Sequence, residues 1–180
     1  MKIGQIVSIS AALLLGGCFI STGDLIKPAD ADYPVADGAR FTVHSLDEEG
    51  RRADEKPQAV AIVRDGDWYV MTTGDDGKPF RGLMDEIAPG LYAVMVHEAD
   101  TDPADGNLYA LVKRDGSGWQ RWSMVCPDFV GLAEAKGVAL SEMGVTLDSS
   151  DCVVADFASL KTALMFAYEN AKPDTEYVAE

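Results

Sequence analysis

The chain has 180 residues, which sets one domain with its own core as the expectation. Hydrophobic residues make up 47% and charged residues 25%, a balance that excludes an intrinsically disordered chain. Asp and Glu number 30 against 15 Lys and Arg, a formal charge of -15, so the surface repels phosphate and nucleic acid is excluded as an expected partner.

The first segment is a targeting signal. Lys2 supplies a positive start, and Ile3 to Leu15 is an apolar run softened by Gly4, Gln5, Ser8 and Ser10. The run is too short and too polar at its start for a membrane span, which needs about 20 apolar residues. It ends in Leu15-Gly16-Gly17-Cys18: an aliphatic residue, two small residues that let a peptidase approach the backbone, and a thiol. These four residues resemble the lipobox of bacterial lipoproteins. The resemblance implies that residues 1–17 are removed as a signal peptide and that Cys18 carries the lipid. It also implies a membrane partner through that anchor. Phe19 stands where Asp favours inner-membrane retention in that family, so the resemblance implies the periplasmic face of the outer membrane.

Residues 18–40 read as the lipidated N-terminus followed by a flexible tether, rich in Pro, Gly, Asp and Ala and without a sustained period. Residues 41–180 read as a single periplasmic domain. Phe41 to Leu46 is β-prone. Gln58 to Arg64 and Trp68 to Thr73 flank Asp65-Gly66-Asp67, a hairpin turn signal because the turn needs positive φ. Leu91 to Glu98 and Leu108 to Arg114 form a second pair around a longer loop. Asp115-Gly116-Ser117-Gly118 then turns into Trp119 to Val125. Short turns between successive strands predict an antiparallel sheet of about six strands.

After Cys126-Pro127 the pattern changes. Asp128 is placed to start a short helix ended by Gly137, and Leu140 to Leu147 has no clear period. Asp156 or Ser159 starts a second helix ending near Ala171, before Pro173. Phe157, Leu160, Leu164, Ala167 and Ala171 recur at helical spacing, a stripe that suits packing on a sheet. The expected fold class is therefore α+β: an antiparallel sheet with C-terminal helices on one face.

Cys126 and Cys152 remain once Cys18 is acylated, and in an oxidising compartment an even pair is expected to form a disulfide. His44 and His97 are the only histidines; a metal or catalytic pair needs their strands to adjoin and further ligands to converge. No His-Glu-x-x-His, Gly-x-Ser-x-Gly or phosphate-loop motif is present, so no catalytic residue and no cofactor is assigned. Asp100, Asp102 and Asp105 form a weak calcium candidate: the spacing departs from an EF-hand, and Leu111 stands where the closing Glu belongs.

These observations predict a membrane-anchored envelope lipoprotein acting as a non-enzymatic binding or interaction module, with an envelope protein as a further partner. The alternatives are a small-ligand binder with a pocket between sheet and helix, walled by Trp68, Tyr92 or Trp122, and a periplasmic enzyme whose site has no recognisable motif. A deep pocket with convergent polar groups would favour the alternatives; a filled core would favour the first.

Overall fold

The computed structural model describes residues 19–21, 23–74, 77–100 and 106–180. The lipobox with its Cys18, and Asp102 and Asp105 of the acidic loop, lie outside them.

Among the described residues the strands are β1 Phe19–Ser21, β2 Ala39–Ser45, β3 Gln58–Asp65, β4 Trp68–Thr73, β5 Phe80–Ala88, β6 Leu91–Glu98, β7 Asn107–Asp115, β8 Gly118–Ser123, β9 Val145–Asp148, β10 Asp151–Val154 and β11 Thr175–Ala179. The helices are α1 Cys126–Lys136 and α2 Phe157–Asn170. Eight strands run in the order β6-β5-β4-β3-β2-β11-β8-β7, and β7 pairs back onto β6, so the sheet closes into an antiparallel barrel. The expected open α+β sheet is thus corrected to a barrel with three additional strands.

Two strands absent from the sequence reading close it. β5 joins β4 to β6, with Tyr69 opposite Gly82 and Met84 opposite Val94. β11 joins β2 to β8, with Tyr177 between Val43 and Trp119. Neither segment advertises itself: β5 contains Gly82 and a register shift between Glu86 and Ala88, and β11 is five residues long after a proline. A Cβ on Gly118 would collide with the Tyr177 carbonyl, so the absent side chain lets β8 start against β11.

The hairpin turns behave as their composition predicts. Gly66 takes φ 60° between β3 and β4, and Gly116 takes φ 59° between β7 and β8, a region that a Cβ disfavours. Followed once round the barrel from Phe41, the registers return to β2 about twelve residues further along. With strands about 4.8 Å apart and that stagger, the tilt is about 45° and the backbone radius about 9 Å.

Two apolar clusters lie on opposite sides of this wall. One joins Phe41, Val60, Ile62, Tyr69, Met84, Tyr92 and Trp119, with Val112 and Tyr177 packed on it. It draws on all eight barrel strands, which only an interior can do. The other joins alternate residues of four strands, such as Leu83, Met95, Leu111 and Trp122, to Phe129 of α1 and Leu160 and Leu164 of α2. The helices therefore cover one outer side of the barrel. There Lys113 Nζ donates to Tyr168 Oη at 2.7 Å and Trp122 Nε1 to the Ala171 carbonyl at 3.1 Å.

Cys126 and Cys152 are bonded, Cα atoms 5.3 Å apart, joining the start of α1 to β10. Asp156 caps α2 by accepting from Ser159 N at 2.7 Å, and Gly137 ends α1.

The segment read as a flexible tether is docked from its first described residue. Phe19 is fully buried, pairs with Cys152 and packs edge-on against Phe129 at 4.7 Å. Ile26 is buried in the same apolar cluster. Composition concealed this, because the anchoring residues are single apolar side chains spaced among Gly, Pro and Asp.

Candidate functional site

Strand alternation assigns the inward side chains: Phe41 and Val43 of β2; Val60 and Ile62 of β3; Tyr69 and Met71 of β4; Phe80, Gly82 and Met84 of β5; Tyr92, Val94 and Val96 of β6. β7 contributes Leu108, Ala110 and Val112, β8 Trp119 and Arg121, and β11 Thr175 and Tyr177.

The two ends of the barrel differ. At the end holding the β3–β4, β5–β6 and β7–β8 turns, the interior is closed. Tyr69, Met84, Tyr92 and Trp119 are buried, and Tyr92 and Trp119 meet edge-to-face at 5.6 Å. A strap across this end adds Val35, which exchanges both backbone hydrogen bonds with Tyr69 Oη at 2.9 Å. The strap is fixed further by Asp32 N to the Met84 carbonyl at 2.8 Å and by Tyr33 Oη to the Asp67 carbonyl at 2.9 Å. Burial raises the pKa of Tyr69 and of Tyr92, as expected of phenols in an apolar floor.

Of the remaining inward residues, Phe41, Val60, Ile62 and Thr175 are also buried, whereas Val43, Met71, Phe80, Val94, Val96, Leu108, Ala110, Val112 and Tyr177 are half-buried. Their neighbours on the covered outer side of β6 and β7 are the reverse, with Ala93, Met95 and Leu111 at 0% exposure. Residues facing into a closed barrel become partly accessible where the interior holds space or opens at its rim. A backbone radius of about 9 Å leaves such space wherever side chains are as small as Ala110 and Val96. The barrel interior thus has a buried aromatic floor with half-buried apolar side chains above it.

One side of this interior is polar. Arg121 donates from Nη1 to Tyr177 Oη at 3.3 Å, and from Nη2 to Thr175 Oγ1 at 2.9 Å and Asp174 Oδ1 at 3.4 Å. Asp174 in turn accepts from Ser123 N, from Ser123 Oγ at 3.0 Å and from Thr175 Oγ1 at 2.6 Å. Burial works against the Arg121 charge, but Tyr177 and Asp174 outweigh it and its pKa is raised. The Nε of Arg121 is buried without a hydrogen-bond partner.

The other residues singled out from sequence are not assembled with this site. His44 lies on β2 opposite Glu176, and His97 on β6 faces the opposite way from Val96, edge-on to Trp68 at 5.3 Å. Their strands do not adjoin. Burial, and secondarily Arg81, depresses the His97 pKa against the pull of Asp24. Its Nδ1 is an unpartnered buried atom, as is Asn107 Oδ1. Asp100 is exposed, and no group of three or more His, Cys, Asp or Glu among the described residues is placed to hold a metal.

The expected pocket between sheet and helix is corrected: that layer is filled, with Leu83, Met95, Leu111, Leu160 and Leu164 at 0% exposure. Of the three aromatic residues assigned to its wall, Trp68 and Trp122 belong to that outer core, whereas Tyr92 lies in the barrel floor. The described residues form clefts on the outer surface. One of about 120 Å³ lies over Arg40, Ala61 and Thr72, and an open hollow runs along α2 past Lys161 and Met165. Sequence reasoning missed Arg121 because a lone Arg in a strand reads as a solvated charge; only closure turns it inward. No protein-family model, curated protein or solved structure matches this chain.

Proposed function

We propose that this chain is a lipid-anchored envelope protein acting as a non-enzymatic binding module, and that it takes a small apolar ligand into the barrel. The observation that carries the binding site is the half-buried apolar lining of Phe80, Val94, Val96, Leu108 and Ala110 above a closed floor of Tyr92 and Trp119. Apolar surface left accessible inside a barrel is a standing drive for ligand capture. The anchor rests on Leu15-Gly16-Gly17-Cys18 and its resemblance to a lipobox.

Each half has its own test. The polarity-sensitive dye N-phenyl-1-naphthylamine should brighten on binding the mature chain. Ala110→Trp should abolish that signal while leaving the melting temperature near wild type, because the new ring enters space and not packed side chains. A large destabilisation by Ala110→Trp would mean a filled barrel and would remove the binding reading. Metabolic labelling with a fatty acid should mark wild type and not Cys18→Ala; equal label on both would remove the anchor.

A further inference from the structure

The barrel interior has two chemically different walls. Met71, Phe80, Val94 and Val96, on β4, β5 and β6, offer only carbon and sulfur, and the next inward position of β6, Glu98 opposite Phe80, is charge-paired with Lys78 at 3.2 Å. Across the barrel, β8 and β11 offer Arg121 and Tyr177.

The donors of that polar wall outnumber their acceptors. A guanidinium carries five N–H groups. Three are used among the described residues, on Tyr177, Thr175 and Asp174. The buried Nε–H and one Nη1–H are left over. Tyr177 Oη accepts from Arg121, and its own hydrogen has no acceptor among the described hydrogen bonds. Asp174 does not take up the surplus, because its two oxygens already receive Ser123 N, Ser123 Oγ and Thr175 Oγ1. The Arg121 side chain is 32% exposed, so it is not sealed off despite its buried Nε.

We propose that the ligand is a small amphiphile with a carboxylate, which Arg121 and Tyr177 receive while its apolar part lies against Met71, Phe80, Val94 and Val96. This rests on the reading of the barrel as a binding cup. A carboxylate has acceptor sites enough for the Nη1–H and the Tyr177 O–H together, and charge-assisted bonds of this kind are about twice as strong as neutral ones. The acidity of the chain as a whole does not decide the matter. Exposed charges beyond about 8 Å are largely screened at physiological salt, whereas Arg121 acts at contact.

The test uses the mature full-length chain loaded with N-phenyl-1-naphthylamine and displaced by decanoate, decanol and methyl decanoate. Decanoate should displace the dye at a concentration about tenfold lower than decanol or the ester, the fold-change that one good charge-assisted contact supplies. Tyr177→Phe, which keeps the ring and its packing, should erase much of that preference, read as a fall in the decanoate-to-methyl-decanoate ratio. Arg121→Met should erase all of it. If Arg121→Met does not fold because Asp174 is left unpaired, Tyr177→Phe and the decanoate-to-methyl-decanoate ratio still decide. Dye binding with no preference for decanoate, or variants that weaken all three ligands equally, would overturn the carboxylate assignment while leaving the cup. Absence of dye binding would overturn the cup and this assignment with it.

Discussion

Replacing Phe19 with Ala tests whether the chain just after the expected lipid site belongs to the folded body. Phe19 is fully buried, packs edge-on against Phe129 at 4.7 Å, and donates its backbone N–H to the Met124 carbonyl at 3.2 Å. Phe129 of α1 in turn meets Phe166 of α2 edge-on at 5.6 Å, so Phe19 anchors a row of aromatics that joins the two helices. Truncating a buried Phe costs about 3–5 kcal/mol, of which about 0.5–1.5 is the aromatic pairing itself. At about 2–4 °C per kcal/mol for a chain of this size, the melting temperature should fall by about 6–20 °C. β1 contributes only two registered pairs to β7 and two to β10. It can therefore detach locally and hold the loss toward the lower figure. Thermal unfolding of the mature chain, followed by circular dichroism, measures this; Ile20→Ala, at a half-buried site, should cost less. A shift under about 2 °C for Phe19→Ala would refute the packing and return these residues to a free tether.

Replacing both Cys126 and Cys152 by Ser should lower stability by about 3–4 kcal/mol on the chain-entropy model for their separation of 26, read by denaturant unfolding; an unchanged midpoint would contradict it. Acid should destabilise the protein through His97. Burial holds its pKa below the value in the unfolded chain, so the unfolded state binds the proton first and stability falls as pH drops below about 6.5. Asp85 works the other way, since burial and then Asp32 raise its pKa, so a melting profile between pH 7 and 5 that is flatter in His97→Gln than in wild type isolates the histidine. For the acidic loop, calcium and magnesium should give small and equal shifts in melting temperature by screening; a calcium-selective shift lost in Asp102→Asn would establish a site there.

Local chemistry made much of the molecule legible. Asp65-Gly66 and Gly116 mark turns because a hairpin demands positive φ, and these are the turns observed. Asp156 and Gly137 mark helix ends because backbone groups there need a partner or a left-handed residue. The even pair Cys126 and Cys152 pointed to one bond, and that bond is present. The candidate site was legible only in Tyr92, expected as a pocket wall but of a different pocket.

What the sequence by itself determined about this protein is its set of strands with strong alternation, its two helices and its disulfide. Closure was decided only by tertiary structure. It depends on pairings between residues far apart in the chain, such as Phe41 with Ala179 and Val94 with Ala110 across a loop, and on β5, whose Gly82 and bulge weaken its own period. Closure also decides which face is inside. Arg121 and Trp122 are neighbours on an amphipathic strand, and nothing in their order says which of them meets solvent. Once β11 pairs with β8, Trp122 goes under α2 and Arg121 turns to the interior beside Tyr177, because a strand puts successive side chains on opposite sides and only one side of a closed sheet faces itself.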